Sequence, residues 1–461
     1  MISLFKKVLI ANRGEIAVQI IRALHEMGIK AVAVYSTADR NSMFVHLADQ
    51  AVCIGGPLPA QSYINMGAII DAAVLTGCDA IHPGYGFLSE NAEFANSCED
   101  CHVKFIGPSS KAISLMGDKA SAKVTMKKVG IPTIPGSDGN LKSVHQALNL
   151  AHKMGYPVML KATAGGGGKG IRKATDDQSL VREFQADQRE AQLDYDNGAI
   201  YMEKDIQNAK HVEMQAIADN FGHVVYFPER DCSLQREHQK VLEETPCSEV
   251  SPKERKYLGS LVTKAIKATH YTNTGTVEFL LDEDNHNFYF MEMNARLQVE
   301  HTITEEVSNV QLIKDQILVA EGLPLPFTQK DIHLNSYAME CRINAEDPAK
   351  NFMPTPGKIK YANFPFGTKG VRIDSGVRQG DVISPYYDSM IAKIIVHMPT
   401  KKQAVSKMAR VLKEFDIEGV QTNRQFLLDL VRDKGFQKGN FNNRYIEQSF
   451  LKDWMSKHAK D

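Results

Sequence analysis

The sequence lacks the features that identify membrane, secreted and nucleic-acid-binding proteins. None of its apolar runs approaches the ~20 residues that a membrane-spanning helix requires. Residues 1–10 contain neither the long apolar segment nor the small-residue cleavage site of a signal peptide. A net charge of −1 provides no bulk electrostatic attraction to nucleic acid or to a membrane surface. We therefore expect a cytoplasmic protein that binds neither nucleic acid nor membrane.

Cysteine usage argues against a disulfide framework. The seven cysteines are odd in number and widely scattered, which indicates free thiols in a reducing compartment. Residues 98–102, Cys-Glu-Asp-Cys-His, formally match the attachment pattern of c-type haem. That pattern requires export, for which the sequence carries no signal. We interpret the match as a coincidence at the end of a helix.

Two common nucleotide-binding signatures are also missing. The turn at 12–14 has one glycine, so the dinucleotide fingerprint is absent there. Residues 165–170 formally match Gly-x-Gly-x-x-Gly, but a strand is predicted after them instead of a helix. Gly170 occupies the position where a P-loop requires Ser or Thr.

What remains is a glycine loop between two predicted strands. The first strand ends at Lys161, and Lys169 lies within the loop. Because backbone amides of glycine approach phosphates closely and both lysines add positive charge, the arrangement predicts a flap over a nucleotide. The alternative is a flexible surface hairpin.

Length and composition predict a globular protein of about three domains. Residues 4–55 have the pattern strand, helix, strand, which indicates a βαβ unit in a parallel sheet. From residue 335 onward, short strands separated by turns precede helices near 401–415 and 423–433, as in an α+β domain. The predicted domains are 1–114, 115–334 and 335–461.

A glycine-rich loop at 82–88 follows a predicted strand at 79–81. Loops at the carboxyl ends of strands in open α/β sheets commonly line ligand sites. The same loop can equally be a rigid turn, and the sequence does not decide between the two.

Residues 288–301 carry the densest set of candidate ligands. The first half is apolar and aromatic, as in a buried strand. In the second half polar residues recur at every second position, which places them on one face of a strand that continues to residue 300. These residues are Glu292, Asn294, Arg296, Gln298 and Glu300.

A second predicted strand, at 276–281, precedes this stretch across a polar turn. Folding the hairpin about Asn285 places Glu278 opposite Glu292, with Cβ atoms ~5 Å apart. Two carboxylates this close repel each other unless a cation lies between them. Mg²⁺ prefers oxygen ligands, and Asn294 can add a neutral oxygen. The sequence therefore predicts a metal site, with a solvated polar face of the sheet as the alternative.

Residues 229–240 are also rich in charged and polar side chains. They lack the ligand spacing of a zinc site. Taken alone, the segment has the pattern of a solvated strand face.

Together these stretches resemble one family, the biotin carboxylases of the ATP-grasp superfamily. Each motif alone is weak, but the set occurs in the family's order from residue 5 to about residue 440, which makes it specific. The resemblance is carried by residues 11–17, 82–86, 116–119, Lys161 with its glycine loop, 229–233, 238–240, 292–294, 296–301 and 340–348.

The resemblance implies an N-terminal parallel α/β (pre-ATP-grasp) domain, an ATP-grasp domain with a glycine-loop lid at about 135–203, and a C-terminal α+β domain. It implies ATP-dependent carboxylation of biotin by bicarbonate through carboxyphosphate, with Mg²⁺ or Mn²⁺ as the metal. A carboxylate base suits bicarbonate, which is a poor nucleophile until it is deprotonated. A lid that excludes water suits an intermediate that hydrolyses easily.

The resemblance also assigns roles to residues. The expected ATP contacts are Lys119, Lys161, Gly167, Gly168, Glu203, Lys204, Ile206, His211, His238, Glu278 and Glu292. The expected metal ligands are Glu278, Glu292 and Asn294. Bicarbonate is expected to lie against Lys240, Arg296, Val299 and Glu300, with Glu300 as its general base. Arg342 is expected to stabilise the biotin enolate and to touch bicarbonate.

The expected partners follow from what the sequence contains. There is no Ala-Met-Lys-Met biotinylation motif, so we expect a separate biotin carboxyl carrier protein. A Met start and an end soon after the third domain favour the biotin carboxylase subunit of acetyl-CoA carboxylase, which works with carboxyltransferase subunits in malonyl-CoA and fatty acid synthesis. The alternative is the corresponding part of a pyruvate carboxylase or another acyl-CoA carboxylase. An inactive nucleotide-binding regulator is disfavoured because Lys161, Glu292 and Glu300 are present.

A few positions depart from the family pattern. Ala295 replaces the usual Thr or Ser, Thr302 replaces a common Pro, and Lys169 stands where Arg is frequent. These changes leave the expected ligand atoms intact. Gln19 stands where some dimeric members carry Arg at the subunit contact, so the sequence leaves homodimerisation open.

Overall fold

The structure, a computed structural model, describes residues 4–162, 171–195 and 199–458 and begins with a five-stranded parallel sheet. Its spatial order is Gln50–Gly55, Lys30–Ser36, Lys7–Ile10, Ala80–His82, Lys104–Phe105. Residues 8–10 of the central strand are apolar and buried because helices cover both faces of the sheet. Its Leu9 packs in one core with Ile69 of helix Met66–Thr76, and its Val8 packs in another with Ile20 of helix Gly14–Glu26. The predicted parallel α/β domain is confirmed.

A small antiparallel sheet forms the predicted lid region. Its spatial order is Ile171–Ala174, Val158–Ala162, Ile200–Lys204. Helices Val144–Met154 and Asp177–Tyr195 pack on this sheet around a core of its own that includes Leu160 and Phe184. The glycine loop, with Gly167, Gly168 and Lys169, lies outside the described residues.

A nine-stranded antiparallel sheet forms the centre of the molecule. Its spatial order is Asn287–Asn294, Asn273–Asp282, Ala209–Ala218, Arg230–Arg236, Gln239–Thr245, Tyr337–Asn344, Met390–Met398, Val371–Ser375, and Val224–Tyr226 also pairs with Ala209–Ala218. Leu242 pairs with Cys341 and Thr245 with Ala338. The sheet therefore continues across the domain boundary that was predicted at residue 335. The C-terminal region nevertheless has its own apolar core around Ile394, Met408 and Phe426.

The remaining elements cover these sheets. The predicted helices near 401–415 and 423–433 are confirmed as Lys401–Glu414 and Arg424–Arg432. The other α-helices described are Met43–Leu47, Ala92–Asp100, Ser110–Gly117, Lys119–Lys128, Pro252–Ala268, His301–Ser308, Leu312–Ala320, Lys434–Lys438 and Leu451–His458, with Ile446–Phe450 as a π-helical turn. Short 3₁₀ turns are Thr37–Asp39, Pro59–Gln61, Gln329–Asp331 and Pro348–Lys350, and short strand pairs are Glu346–Asp347 with Met353–Pro354, Gly357–Lys358 with Val382–Ile383, and Tyr361–Asn363 with Asp416–Glu418. Within the described ranges, no helix combines the length and apolar character needed to cross a bilayer.

Candidate active site

A cavity of about 800 Å³ lies where the lid, the large sheet and the C-terminal region meet. It brings together all the predicted site residues that the structure describes; Gly167 and Gly168 fall outside that part of the chain. The predicted residues that line it are Lys119, Lys161, Glu203, Lys204, Ile206, His211, His238, Lys240, Glu278, Glu292, Asn294, Arg296, Val299, Glu300 and Arg342.

The hairpin register at the cavity agrees with the sequence prediction, because Glu278 pairs directly with Glu292. The predicted continuation of the strand to Glu300 is wrong. Strand Asn287–Asn294 ends at Asn294, which pairs with Thr276. Residues 295–300 leave the sheet and form no regular strand. Arg296 still faces the cavity, since Glu90 holds it at 2.7 Å and also accepts the Ala295 backbone N–H at 2.8 Å.

Glu278, a predicted metal ligand, is held by nitrogen donors beside this hairpin. Glu278 Oε1 accepts hydrogen bonds from Asn294 Nδ2 at 2.7 Å and Gln298 Nε2 at 2.9 Å, while Oε2 lies 2.8 Å from His211 Nε2. Burial alone would raise the pKa of Glu278, but Lys240 and His211 lower it far below its usual range.

Glu292 completes the predicted metal set from the other strand. Its Oε2 lies 3.0 Å from Lys119 Nζ, and its side chain is 30% exposed towards the cavity. Two carboxylates and an amide oxygen are hard ligands that fit Mg²⁺. The residues present therefore fit the ion, and their role as ligands stays a prediction.

A buried carboxylate between two cations forms another part of the cavity. Lys240 Nζ lies 2.6 Å from Glu300 Oε1, and Arg342 Nη2 lies 2.8 Å from Oε2. Glu300 is fully buried, which alone would raise its pKa, but Lys240 and Arg342 lower that pKa well below its usual range. The group is therefore ionised at neutral pH.

Further charged residues around Glu300 were not predicted from the sequence. Lys240 Nζ also lies 2.5 Å from Glu213 Oε2, and Arg342 Nε donates a hydrogen bond to Glu243 Oε1 at 2.6 Å. Burial and the charge of Glu300 raise the pKa of Glu213 to about 7. Glu213 could have been predicted from the sequence, because it lies two residues from His211 on the same strand and therefore on the same face.

The prediction that residues 229–240 form a solvated face is wrong for 229–234, which are buried, whereas 237–239 are exposed. Arg230 and Asp231 are buried because strand Arg230–Arg236 lies inside the large sheet. Their charges are paired across strands instead of being solvated: Arg230 Nε lies 2.6 Å from Glu213, and Asp231 lies 2.9 Å from Lys210. Local sequence does not show which strands supply these partners.

Basic side chains cluster on the lid side of the cavity. Glu203 pairs with Lys161 at 2.5 Å and also with Lys123. Lys204 Nζ instead donates to the backbone carbonyls of residues 155 and 156, at 2.9 and 3.0 Å. Arg444, which was not predicted from the sequence, lines the same cavity and lies 2.7 Å from Asp205.

Comparisons with known proteins agree with this arrangement. Three family models match the chain: Biotin carboxylase, N-terminal domain at 4–113; Carbamoyl-phosphate synthase L chain, ATP binding domain at 118–328; and Biotin carboxylase C-terminal domain at 340–448. Biotin carboxylase 1 of Bacillus subtilis is 51% identical over 96% of this chain and 98% of its own length. A pyruvate carboxylase subunit of Methanothermobacter thermautotrophicus is 45% identical over 96% of this chain and 90% of its own length.

A solved structure gives the same result. The biotin carboxylase domain dimer of Hydrogenobacter thermophilus 2-oxoglutarate carboxylase, in complex with MgADP, ADP and bicarbonate, superposes with a TM-score of 0.93 at 47% identity, covering 96% of this chain and 97% of that one. Fold, cavity and relatives agree over nearly the whole length. The chain therefore belongs to the biotin carboxylase family.

Proposed function

We propose that this chain is the biotin carboxylase subunit of an acetyl-CoA carboxylase. It uses ATP and bicarbonate to carboxylate biotin on a separate carrier protein, and carboxyltransferase subunits then use the carboxybiotin in the cytoplasm. The observation that carries the proposal is the ionised Glu300 between Lys240 and Arg342, in the cavity that also holds the lid lysines.

In this proposal, Glu300 removes the proton of bicarbonate. Lys240, Arg296 and the backbone of Val299 hold the anion, so that its developing charge meets fixed cations instead of water. Arg342 lies close enough to Glu300 to serve the same anion and then the enolate of biotin.

ATP lies against the lid side in the proposal. Lys119 and Lys161 face its phosphates, and Glu203, Lys204, Ile206, His211 and His238 complete the contacts. Mg²⁺, or Mn²⁺, held by Glu278, Glu292 and Asn294 would offset phosphate charge. The glycines Gly167 and Gly168 are proposed to close over the phosphates through their backbone amides.

A pyruvate carboxylase is the second candidate for the complete enzyme. The relative from Methanothermobacter carries that name, and a chain that carboxylates carrier-bound biotin needs the same site whatever the final acceptor is. Purifying the tagged chain with its native partners and supplying labelled bicarbonate with acetyl-CoA or pyruvate distinguishes the two. Label in malonyl-CoA supports our proposal, and label only in oxaloacetate supports the second candidate.

A homodimer is also proposed, on the basis of the related dimer. Gln19 gives no support of its own, because it is buried and accepts a hydrogen bond from Arg372 Nη2 of the same chain at 3.0 Å.

The decisive test separates the two steps of the reaction. Glu300→Gln should suppress bicarbonate-dependent ATP cleavage and biotin carboxylation together, because bicarbonate is no longer deprotonated. Arg342→Ala should reduce carboxylation more than ATP cleavage, by about 10²–10³ as for the loss of an oxyanion donor. ADP release and label fixed into free biotin are measured on each variant.

The same assays give the contradicting results. Equal losses of both activities in Arg342→Ala would restrict that residue to bicarbonate or to structure. A wild-type chain that fixes no label into biotin would contradict the proposed function.

A further inference from the structure

Lys393 is a fully buried lysine that the proposed reaction has not used. It lies on strand Met390–Met398, directly opposite Arg342 of strand Tyr337–Asn344. Paired residues of antiparallel strands project to the same face. Arg342 and Lys393 therefore reach together from the C-terminal region towards the segment that carries Glu300.

The two cations engage neighbouring parts of that segment. Arg342 binds the Glu300 carboxylate, whereas Lys393 Nζ donates to the backbone carbonyl of Val299 at 2.7 Å. That carbonyl and the N–H of Glu300 belong to one planar peptide unit. Fixing the carbonyl oxygen therefore fixes the orientation of the peptide from which the Glu300 side chain departs.

The N-terminal domain holds Lys393 in place. Glu15 Oε1, at the start of helix Gly14–Glu26, lies 3.3 Å from Lys393 Nζ, and the ring of Tyr85 lies 5.7 Å from it, within cation–π range. Asn12 joins the turn before helix Gly14–Glu26 to the loop that carries Tyr85, since its Nδ2 donates to the carbonyls of Pro83 at 2.7 Å and Tyr85 at 2.8 Å.

These contacts connect the site with two sequence motifs that do not line the cavity themselves. The motifs are 11–17 and 82–86, and the residues that line the cavity come from other parts of the chain. Through Glu15 and Tyr85 both motifs reach Lys393, and through Lys393 they reach the edge of the cavity at Val299. These contacts are those expected of the loop at 82–88 if it is a rigid turn.

We propose that Lys393 is a positioning residue for the bicarbonate step: anchored by Glu15 and Tyr85, it orients the Val299–Glu300 peptide so that the carboxylate of Glu300 meets its substrate. The inference rests on the proposed function, because it assigns Lys393 to the step in which Glu300 acts. Lys393 thus connects the N-terminal domain, the C-terminal region and the segment with Glu300 at the carbonyl oxygen of Val299.

The test compares Lys393→Met with the double variant Glu15→Gln/Lys393→Met. The single variant leaves a buried carboxylate unpaired and is expected to lower the thermal midpoint. The double variant also removes the charge of Glu15 and should recover part of that midpoint, since buried Glu340 lacks the nearby cation in both variants. In both variants kcat/KM for bicarbonate should fall by up to about 100-fold, as for a misplaced catalytic group, while KM for ATP stays unchanged.

Lys401→Met is the matched control. Lys401 lies in the same region and pairs with buried Glu244 at 2.9 Å. Glu244 points away from the face on which neighbouring Glu243 meets Arg342. This variant should lose stability without a change in kcat/KM for bicarbonate.

Two results are decisive. If kcat/KM for bicarbonate recovers with the thermal midpoint in the double variant, Lys393 has only a structural role and the inference is overturned. If the double variant is stable and still impaired specifically for bicarbonate, the inference is supported, even where Lys393→Met alone fails to fold. A wild-type chain without bicarbonate-dependent ADP release would overturn the proposed function, and this inference with it.

Discussion

Asp315 shows at the scale of one residue how environment sets charge. It lies buried on helix Leu312–Ala320, and its Oδ2 has no hydrogen-bond partner among the described residues. Burial, together with the nearby charge of Glu305, raises the pKa of Asp315 to about 7. Glu300 is also buried but ionised, because Lys240 and Arg342 flank it.

Replacing this carboxyl with its neutral isostere, Asp315→Asn, should stabilise the protein at neutral pH. Between its ordinary pKa of 3.8 and about 7, the folded state keeps a proton that the unfolded state has released. The wild-type free energy of unfolding therefore falls as pH rises through this window, by up to about 1.4 kcal/mol per pH unit. The advantage of the variant should be absent near pH 4 and largest above pH 7, as measured by thermal unfolding.

Asp71→Asn is the control for this prediction, because Asp71 is exposed on helix Met66–Thr76. It should leave the pH profile unchanged. A parallel shift of the Asp315→Asn profile at every pH would contradict the assigned protonation.

At the scale of elements, the hairpin shows what the sequence could and could not predict. The pairing of Glu278 with Glu292 was predicted, but it depends on a β-bulge that the sequence did not show: next to the turn the register is offset by one residue, with Phe279 opposite Phe290. The end of the strand at Asn294 was not predictable: the neighbouring strand continues to Asn273, and the chain leaves it where distant Glu90 accepts the Ala295 backbone N–H. The partners of Glu213 and Arg230 were unpredictable for the same reason: they come from strands distant in sequence.

The hairpin also supports a metal prediction. Glu292→Gln removes one anionic ligand from the proposed pair with Glu278, so ATP turnover at limiting Mg²⁺ should collapse. The fold should survive, because the Glu292 side chain is partly exposed to the cavity. ADP release is measured while Mg²⁺ is titrated at fixed ATP.

Asp284→Asn provides the comparison, since it removes an exposed carboxylate from the turn of the same hairpin. It should titrate like the wild-type chain. A Glu292→Gln rate equal to wild type at limiting Mg²⁺ would rule out this residue as a ligand.

At the scale of the whole molecule, the large sheet unites regions that the sequence presents as separate. Strand Gln239–Thr245 is an interior strand only because Tyr337–Asn344 pairs with it. Its apolar residues Val241 and Leu242 belong to the core of the C-terminal region. Composition predicted the third region as a domain, but composition does not show that its first strand completes another domain's sheet.

A chain ending at residue 334 should therefore aggregate. It would leave Gln239–Thr245 as a long, exposed edge strand with unpaired backbone groups, which promotes association between chains. Light scattering at equal protein concentration, with the full-length chain as reference, measures the effect. A monodisperse fragment with the circular dichroism expected for an intact sheet would contradict it.

The pairing of both Glu300 oxygens has a consequence for timing. A carboxylate between Lys240 and Arg342 takes up a proton poorly, because both cations stabilise its ionised form. In the proposed reaction bicarbonate, itself an anion, would compete for the same two cations. Its binding would weaken the ion pairs of Glu300 and raise the basicity of this proposed general base. In the proposed reaction the substrate would thereby promote its own deprotonation, which would make ATP cleavage depend on bound bicarbonate.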